Sequence, residues 1–157
     1  MISAYFFEDH RKIDASIARL RRDLDEFPLA SSQVHLETLV EAFQALNAHL
    51  EQHMRWEEEV IFPAAEARMP ELAQGPGRVM RREHVDIRSY LRRLQECFVR
   101  HELDEDTRHE IRRALGAAEG VLGEHNEKEE TVYYPLCDRL FSAEEAERLL
   151  DRLQDVR

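Results

Sequence analysis

A pattern that occurs twice constrains this chain more than any other feature of its sequence. The first copy runs from His53 to Pro63 and the second from His125 to Pro135. In both copies a His is followed by Glu at +4 and +5, Val at +7, an aromatic residue at +9 and Pro at +10. Residues four apart lie on one face of an α-helix, so each copy presents an imidazole beside a carboxylate. Each copy is therefore predicted to supply half of a metal site.

Four long stretches of the chain carry apolar residues at every third or fourth position, which is the spacing of core-facing residues in helical bundles. Two of these predicted helices cover about residues 3–25 and 78–101, and the other two contain the copies of the repeated pattern. Pro63 is expected to bend or end the second helix, and the Pro- and Gly-rich residues 69–77 are expected to form the main loop. The spacing predicts an all-α fold, an up-down-up-down four-helix bundle over about residues 3–140.

Two predicted helix starts carry an N-terminal capping signal. Thr107 with Glu110 is expected to open the fourth helix, and Ser142 with Glu145 is expected to open a short C-terminal helix. This last helix is predicted over about residues 142–155 and is amphipathic. It is expected to pack outside the bundle or against a partner chain.

The first half of the chain resembles the second half over more than the repeated pattern. His10 in the first helix and His84 in the third are each preceded by an acidic residue, and the apolar residues that follow them have identical spacing. Helices one and two therefore match helices three and four, and the fold is expected to have an approximate internal two-fold axis. At 157 residues the chain is predicted to form a single domain, 1–157.

Six polar residues occupy core-facing positions where the pattern otherwise places apolar residues. They are His10, His53, Glu57, His84, His125 and Glu129. Burying a lone carboxylate is costly, and a bound cation removes that cost. The beginnings of helices one and three lie level with the ends of helices two and four in such a bundle. All six side chains are therefore expected to meet in one layer as metal ligands.

The donor set indicates the kind of metal. Four imidazoles and two carboxylates suit two metal ions, each bound by two His and bridged by both Glu. Nitrogen and oxygen donors without thiolate suit iron, manganese or zinc, and carboxylate-bridged pairs in helical bundles are typically di-iron or di-manganese. Glu58 and Glu130 are expected to face solvent, with coordination at a metal edge or orientation of a ligand from outside the centre as the alternatives, and His49 is a reserve ligand.

The charge of the chain excludes several classes of partner. It has 33 acidic and 22 basic residues and a formal net charge of -11, which argues against binding to nucleic acid or to anionic membranes. No apolar run is long enough for a transmembrane helix, and the N-terminus lacks the basic region of a signal peptide, so a cytoplasmic protein is expected. Cys97 and Cys137 have no Cys-x-x-Cys spacing and are predicted to be buried thiols.

On these residues the chain resembles the hemerythrin family, specifically its bacterial hemerythrin-like (HHE cation-binding) branch. The resemblance covers residues 1 to about 140 and depends on the doubled His-x-x-x-Glu-Glu with its trailing Phe-Pro or Tyr-Pro. It implies a non-haem di-iron centre within four antiparallel helices, with an oxo or hydroxo group expected between the two iron ions and manganese or zinc as substitutes. The implied ligands are the same six residues, with Glu57 and Glu129 bridging.

Two departures from the oxygen-carrying hemerythrins bear on function. Those proteins have another histidine one turn from the third-helix ligand, and their motif ends with an Asp at +5 from the last His. Here Met80 and Arg88 stand a turn either side of His84, and the last carboxylate is Glu129 at +4. The resemblance therefore implies open positions at both metals, which favour reactivity over reversible oxygen carriage. The bacterial iron-sulfur repair proteins have a similar set of His and Glu ligands.

Three functions remain open from the sequence. The leading hypothesis is a non-haem di-iron protein that binds a small ligand, O2, NO or peroxide, for sensing, sequestration or iron handling. One alternative is a di-iron enzyme, namely a peroxidase, a nitric oxide reductase or an iron-sulfur cluster repair factor. The other is iron storage or a purely structural metal site. A monomer and a homodimer are both compatible with the chain.

Overall fold

The computed structural model describes residues 1–26, 33–99 and 104–156. Within these ranges every regular element is helical and none is a strand, which confirms the predicted all-α bundle. The predicted break after the first helix lies almost entirely outside the described residues, and so does the predicted end of the third helix near His101.

The helices follow the predicted order closely. In chain order they are α1 (Ile2–Glu26), α2 (Gln33–Trp56), α3 (Phe62–Arg68), α4 (Pro76–Val99), α5 (Glu105–Lys128), α6 (Tyr134–Leu140) and α7 (Ala143–Arg152). π-helical turns join α2 to α3 and α5 to α6, and span Glu57–Ile61 and Glu129–Tyr133. The predicted loop over residues 69–77 contains a 3-10 turn, Pro70–Ala73, and α4 already begins at Pro76 rather than near Arg78.

Neighbouring helices of the bundle run antiparallel. Arg112 near the start of α5 donates to Asp25 near the end of α1 at 2.8 Å. The rings of Phe43, in the first half of α2, and Phe98, at the end of α4, stack with their centroids 5.0 Å apart. Because α1 also contacts α2 and α4 contacts α5, the long helices enclose one interior in the predicted up-down-up-down order.

Each copy of the repeated pattern contains a π-helical turn. The amide of Phe62 donates to the carbonyl of Glu57, and the amide of Tyr134 donates to the carbonyl of Glu129. The wider turn accommodates the proline that follows, because Pro63 has no N–H to donate. The chain passes through the π-helical turn before Pro63 and continues as α3, so the expectation that the helix ends at Pro63 is wrong.

Asp104, and not Thr107, caps α5. The carboxylate of Asp104 accepts a hydrogen bond from the amide of Thr107 at 2.8 Å. The predicted capping box of Thr107 with Glu110 is therefore wrong, because an acidic residue one turn earlier is the N-cap. The predicted box of Ser142 with Glu145 is confirmed, since both of its reciprocal hydrogen bonds are present.

Two apolar cores lie on either side of a polar layer. On α1, for example, Phe6 belongs to one core, His10 to the layer and Ile13 to the other core. We call the core that contains Ile13 the distal core; its buried members are Ile13, Ile17, Leu20, Leu24, Leu39, Phe43, Leu46, Leu50, Met54, Ile87, Leu91, Leu94, Cys97, Phe98, Ile111, Ala114, Leu115 and Leu122. We call the other the proximal core; its buried members are Ile2, Phe6, Val60, Ile61, Phe62, Ala65, Leu72, Met80, Tyr133, Tyr134, Cys137, Ala146, Leu149 and Leu153.

The C-terminal helix α7 packs against the proximal core. Ala146 and Leu149 of α7 and Leu153 of the following turn are buried there, and Leu150 is partly buried beside them. Of the two placements expected for this helix, the structure has the first: it lies outside the four long helices, against their proximal end.

Candidate metal centre

The structure brings the six predicted metal ligands together in the polar layer between the two cores. Two come from α1 and α4, and the others come from the C-terminal parts of α2 and α5 and the π-helical turns that follow them. None of the six is more than 2% exposed; they are His10, His53, Glu57, His84, His125 and Glu129. The side chains are therefore removed from water as completely as the Leu and Ile residues above and below them.

The four histidines form two pairs across the interior of the bundle. The Nε2 atoms of His10 and His53 lie 3.2 Å apart, and the Nε2 atoms of His84 and His125 lie 3.1 Å apart. Each pair joins two neighbouring helices of one half of the internal repeat. The arrangement therefore has the approximate two-fold character expected from the sequence.

The two glutamates lie between the histidine pairs and contact both. Glu57 Oε2 is 3.2 Å from His84 Nε2 and 3.6 Å from His53 Nε2. Glu129 Oε1 is 3.1 Å from His125 Nε2, and its Oε2 is 3.4 Å from His10 Nε2. Each carboxylate is thus in a position to bridge two cations, one held by each pair.

Two groups of donor atoms among the described residues are compact enough to hold a metal ion. One consists of Glu57, Glu129 and the pair His84–His125, and the other of Glu129 and the pair His10–His53. Within each group the donor atoms lie within 4.8 Å of one another. Glu129 belongs to both groups, as a bridging ligand must.

Each histidine is also oriented by a carboxylate at its other ring nitrogen. The Nδ1 atom of His10 lies 2.8 Å from Glu130, and that of His84 lies 2.7 Å from Glu58. The Nδ1 atom of His53 lies 2.8 Å from Asp9, and that of His125 lies 2.9 Å from Glu83. An ionised carboxylate only accepts, so the hydrogen bonds assign the proton to Nδ1 and leave the Nε2 lone pair directed at the centre. This is the tautomer that binds a metal through Nε2.

These outer carboxylates were predicted only in part. Glu58 and Glu130 were expected to face solvent, and their hydrogen bonds instead support one of the alternatives, orientation of a ligand. Asp9 and Glu83 were missed, although both immediately precede a predicted ligand, at the same position of the internal repeat. His49 lies outside the two donor groups, and its Nε2 is 2.9 Å from Asp9 Oδ1.

The donor atoms of the layer are incompletely satisfied by the protein alone. Glu57 Oε2 and Glu129 Oε1 are buried and have no hydrogen-bond partner among the described residues. With the Nδ1 atoms protonated, the Nε2 lone pairs within each histidine pair face one another, which is unfavourable unless a positive charge lies between them. A cation at each pair satisfies both the lone pairs and the carboxylates, so the residues fit a metal centre.

The charge of the layer also favours a bound cation. Burial would lower the pKa of His10, but hydrogen bonds and attraction to Glu129 and Glu130 outweigh it and raise the pKa to about 9. The same balance of burial against facing carboxylates raises the pKa of His84 to about 9. Burial would raise the pKa of Glu129, whereas its histidine neighbours hold it well below the usual range. Glu129 therefore stays charged and attracts either protons or metal ions to the imidazoles around it.

Tyr134 and Phe62 make the two halves of the centre different. They occupy the same position of the repeated pattern. The fully buried Tyr134 hydroxyl is within hydrogen-bonding distance of Glu57 Oε1, of Glu129 Oε2 at 3.0 Å and of His10 Nε2 at 3.4 Å. Phe62 instead stacks on the ring of His84 with centroids 5.8 Å apart. One half of the centre thus has a hydroxyl group and the other an apolar ring.

A comparison with known families identifies the family of the chain. The family model of the hemerythrin HHE cation binding domain matches residues 1–137. The chain belongs to the hemerythrin family. Comparisons with curated proteins and with solved structures gave no match.

The buried layer of His and Glu in this hemerythrin domain fits a non-haem metal-binding protein. Both cysteines are buried and reduced, as expected for residues outside the metal centre. Among the described residues, no helix combines the length and the apolar character needed to cross a membrane.

Proposed function

We propose that this hemerythrin domain holds two iron ions and binds O2, NO or peroxide at them for sensing, sequestration or iron handling. The supporting observation is that both glutamates lie between two histidine pairs, each within 3.6 Å of one histidine of either pair, in an otherwise apolar interior. In this proposal His10 and His53 bind one ion, His84 and His125 bind the other, and Glu57 and Glu129 bridge them.

The donor atoms suit iron, and membership of the hemerythrin family favours iron over manganese and zinc. Imidazole nitrogens with carboxylate oxygens and no thiolate are typical of iron and manganese sites, and carboxylate-bridged pairs inside helical bundles are commonly di-iron. Iron, when bound, supplies an exchangeable position for a small molecule and electrons for its reduction.

The residues around the centre support an exogenous ligand. An oxygen-carrying hemerythrin would need another histidine one turn from His84. The residues one turn before and after it are Met80 and Arg88, so neither position supplies an imidazole ligand. Met80 is buried in the proximal core, and Arg88 hydrogen-bonds Glu51 and Glu58. With two imidazoles and shared carboxylates per ion, the protein leaves coordination positions for a small molecule.

The chain's own side chains define the space in which that ligand binds. Phe6 contacts His53 edge to face and Phe62 stacks on His84, so aromatic rings close the centre on its proximal side. The outer carboxylates fix the imidazole orientations, and the buried layer excludes bulk water. Such a site admits small molecules and rejects polar substrates of larger size.

The proposal is tested by metal analysis and optical spectroscopy of protein produced with iron. We expect two iron ions per chain, and new visible absorption when the anaerobic ferrous protein meets O2 or NO. His125→Ala should reduce the iron content, whereas the matched control His109→Ala, which removes an exposed histidine of the same helix, should retain it. Failure of iron to bind, or an unchanged spectrum with every ligand, would reject the proposal.

A second candidate function is a di-iron enzyme, and Tyr134 is the observation that favours it. Its buried hydroxyl lies at the centre, and burial together with the facing carboxylates raises its pKa well above the usual value. The hydroxyl therefore stays protonated and can donate a hydrogen bond or a proton to a reacting ligand. Tyr134→Phe should then slow turnover of peroxide or NO at unchanged iron content. Strictly stoichiometric uptake by the unaltered protein would exclude this candidate.

A further inference from the structure

The outer carboxylates of the two halves of the centre differ in the side chains that contact them on the side away from the histidines. Under the internal repeat, Asp9 corresponds to Glu83 and Glu130 corresponds to Glu58. All four accept from a histidine of the centre. Their other contacts do not follow the repeat, so the two halves of the centre differ at these contacts.

Each carboxylate behind the His84–His125 pair is also bound by a basic side chain. Arg88 donates to both oxygens of Glu58, at 2.9 Å and 3.2 Å, and donates through its other N–H groups to Glu51. Lys128 contacts Glu83 Oε1, while Glu83 Oε2 accepts from His125. The charge of each carboxylate is therefore shared between a histidine and a basic side chain.

Within the described part of the chain, no lysine or arginine contacts the two carboxylates behind the His10–His53 pair. Among the residues that the structure describes, Glu130 contacts His10 alone, and Asp9 contacts His53 and His49. The position that corresponds to Arg88, four residues after the helix-one histidine, is the exposed Asp14. At equivalent positions of the repeat, one half therefore has the acidic Asp14 and the other the basic Arg88.

A basic group bound to an outer carboxylate opposes metal binding in two ways. It draws electron density away from the Nδ1–H hydrogen bond, so the imidazole becomes a weaker donor, and it repels the metal ion directly. The donor atoms alone act in the opposite direction, because the His84–His125 group includes both glutamates and the other group only Glu129. Arg88 and Lys128 therefore lie behind the metal position that has more ligand residues, His84–His125 with both glutamates.

We propose that Arg88, assisted by Lys128, is a tuning residue that weakens divalent-metal binding at His84–His125 and brings its affinity towards that of His10–His53. This inference rests on the proposed two-metal centre. Arg88 is the stronger of the two, because its side chain is 27% exposed and contacts both oxygens of its carboxylate, whereas Lys128 is 43% exposed and more screened by solvent.

The test isolates each position by removing a histidine from the other. In a His53→Ala background cobalt(II) binding, measured by competition with a chromophoric chelator, reports on His84–His125. In a His125→Ala background it reports on His10–His53. Adding Arg88→Gln should tighten binding about tenfold in the first background and leave the second unchanged, in line with the effect sizes known for residues behind metal ligands.

Three further variants separate charge from positioning. Arg88→Lys keeps the charge and should retain the weaker affinity, whereas Arg55→Gln removes an arginine that pairs with Glu59 away from the centre and should change neither background. Asp14→Arg places a cation at the equivalent site and should weaken binding about tenfold in the His125→Ala background only.

The outcomes distinguish the two proposals. If neither background binds cobalt(II) while circular dichroism shows the helical fold, the metal centre itself is wrong. If both bind and Arg88→Gln loosens binding, or Arg88→Lys changes it as much as Arg88→Gln does, then Arg88 only positions Glu58 and the tuning proposal is overturned. Equal effects in both backgrounds would overturn it as well.

Discussion

The two cores on either side of the polar layer are built differently. The distal core is mostly Leu and Ile from the four long helices, with Phe43 stacked on Phe98. The proximal core brings aromatic rings against the layer, including Phe6, Phe62 and Tyr134, and is covered by α7. The first is an ordinary bundle interior, and the second forms the wall of a site.

This difference indicates which part of the fold is stable without a bound ligand. The distal core contributes burial of apolar surface that does not depend on any ligand. The layer between the cores holds six polar side chains whose burial is unfavourable unless a positive charge is present. Perturbing the distal core should therefore change stability alone, whereas perturbing the layer or the proximal core should change stability and metal binding together.

The largest expected effect is that of Phe43→Ala in the distal core. Phe43 is fully buried, and truncating a buried Phe costs about 3–5 kcal/mol of unfolding free energy through lost burial and a residual cavity. The number of metal ions bound per chain should not change, because Phe43 belongs to the distal core and stacks on Phe98. Chemical denaturation and metal analysis of the same preparation measure both quantities.

The matched variant is Phe62→Ala in the proximal core, which removes a similar volume but also the ring stacked on His84. It should lose comparable stability and, in addition, bind metal more weakly. If Phe43→Ala lost metal as readily as Phe62→Ala did, the separation of the two cores would be wrong.

The sequence predicts the long helices and the meeting of the six layer residues because both follow from side-chain spacing along a helix. His10 lies among Phe6, Ile13 and Ile17 at core-facing intervals, so its burial can be read from periodicity. The π-helical turns could not be predicted in this way, since they depend on one hydrogen bond shifted by a residue. Pro63 indicates that something must change but not whether the helix ends or widens.

The contacts behind the ligands also escape prediction from the sequence. Asp9 and Glu83 reach histidines on neighbouring helices, and such pairings depend on how two helices are rotated against each other. The cap of α5 was misplaced for a local reason, because Asp104 and Thr107 both have suitable side chains a turn apart. Sequence spacing therefore specifies the layer, while tertiary packing specifies what supports it.

The next effect is on the pH dependence of the unfolding free energy, which arises from the histidines of the polar layer. Its slope is expected to have opposite signs in the metal-free and the metal-loaded protein. The pKa values of His10 and His84 are about 9 in the folded protein, above the value of 6.5 expected when unfolded. Groups whose pKa is raised on folding stabilise the protein fully below the unfolded pKa, and this contribution is lost as pH rises through the folded pKa. Protein stripped of metal by a chelator should therefore become less stable between pH 6.5 and about 9.

Metal-loaded protein should show the opposite trend, because metal binding needs the unprotonated Nε2 atoms and releases protons. Metal at about 100 times its Kd adds about 2.7 kcal/mol to the unfolding free energy, and the gain grows as protons compete less. Denaturation of both forms at several pH values measures the divergence, and Phe43→Ala should shift both curves without changing their slopes. A stripped protein equally stable across this range would contradict the assigned protonation of the layer.

The smallest expected effects compare the two N-caps that flank the cores. Asp104→Ala removes the cap of α5 at the distal end, and Ser142→Ala removes the cap of α7 over the proximal core. Each should cost about 1 kcal/mol of unfolding free energy, because one helix amide loses its side-chain acceptor. Only Ser142→Ala should speed removal of metal by a chelator, because α7 covers the proximal core through Leu149 and Leu153. Equal release rates for the two variants would mean that α7 adds stability without sealing the centre, and the proximal core would then resemble the distal one.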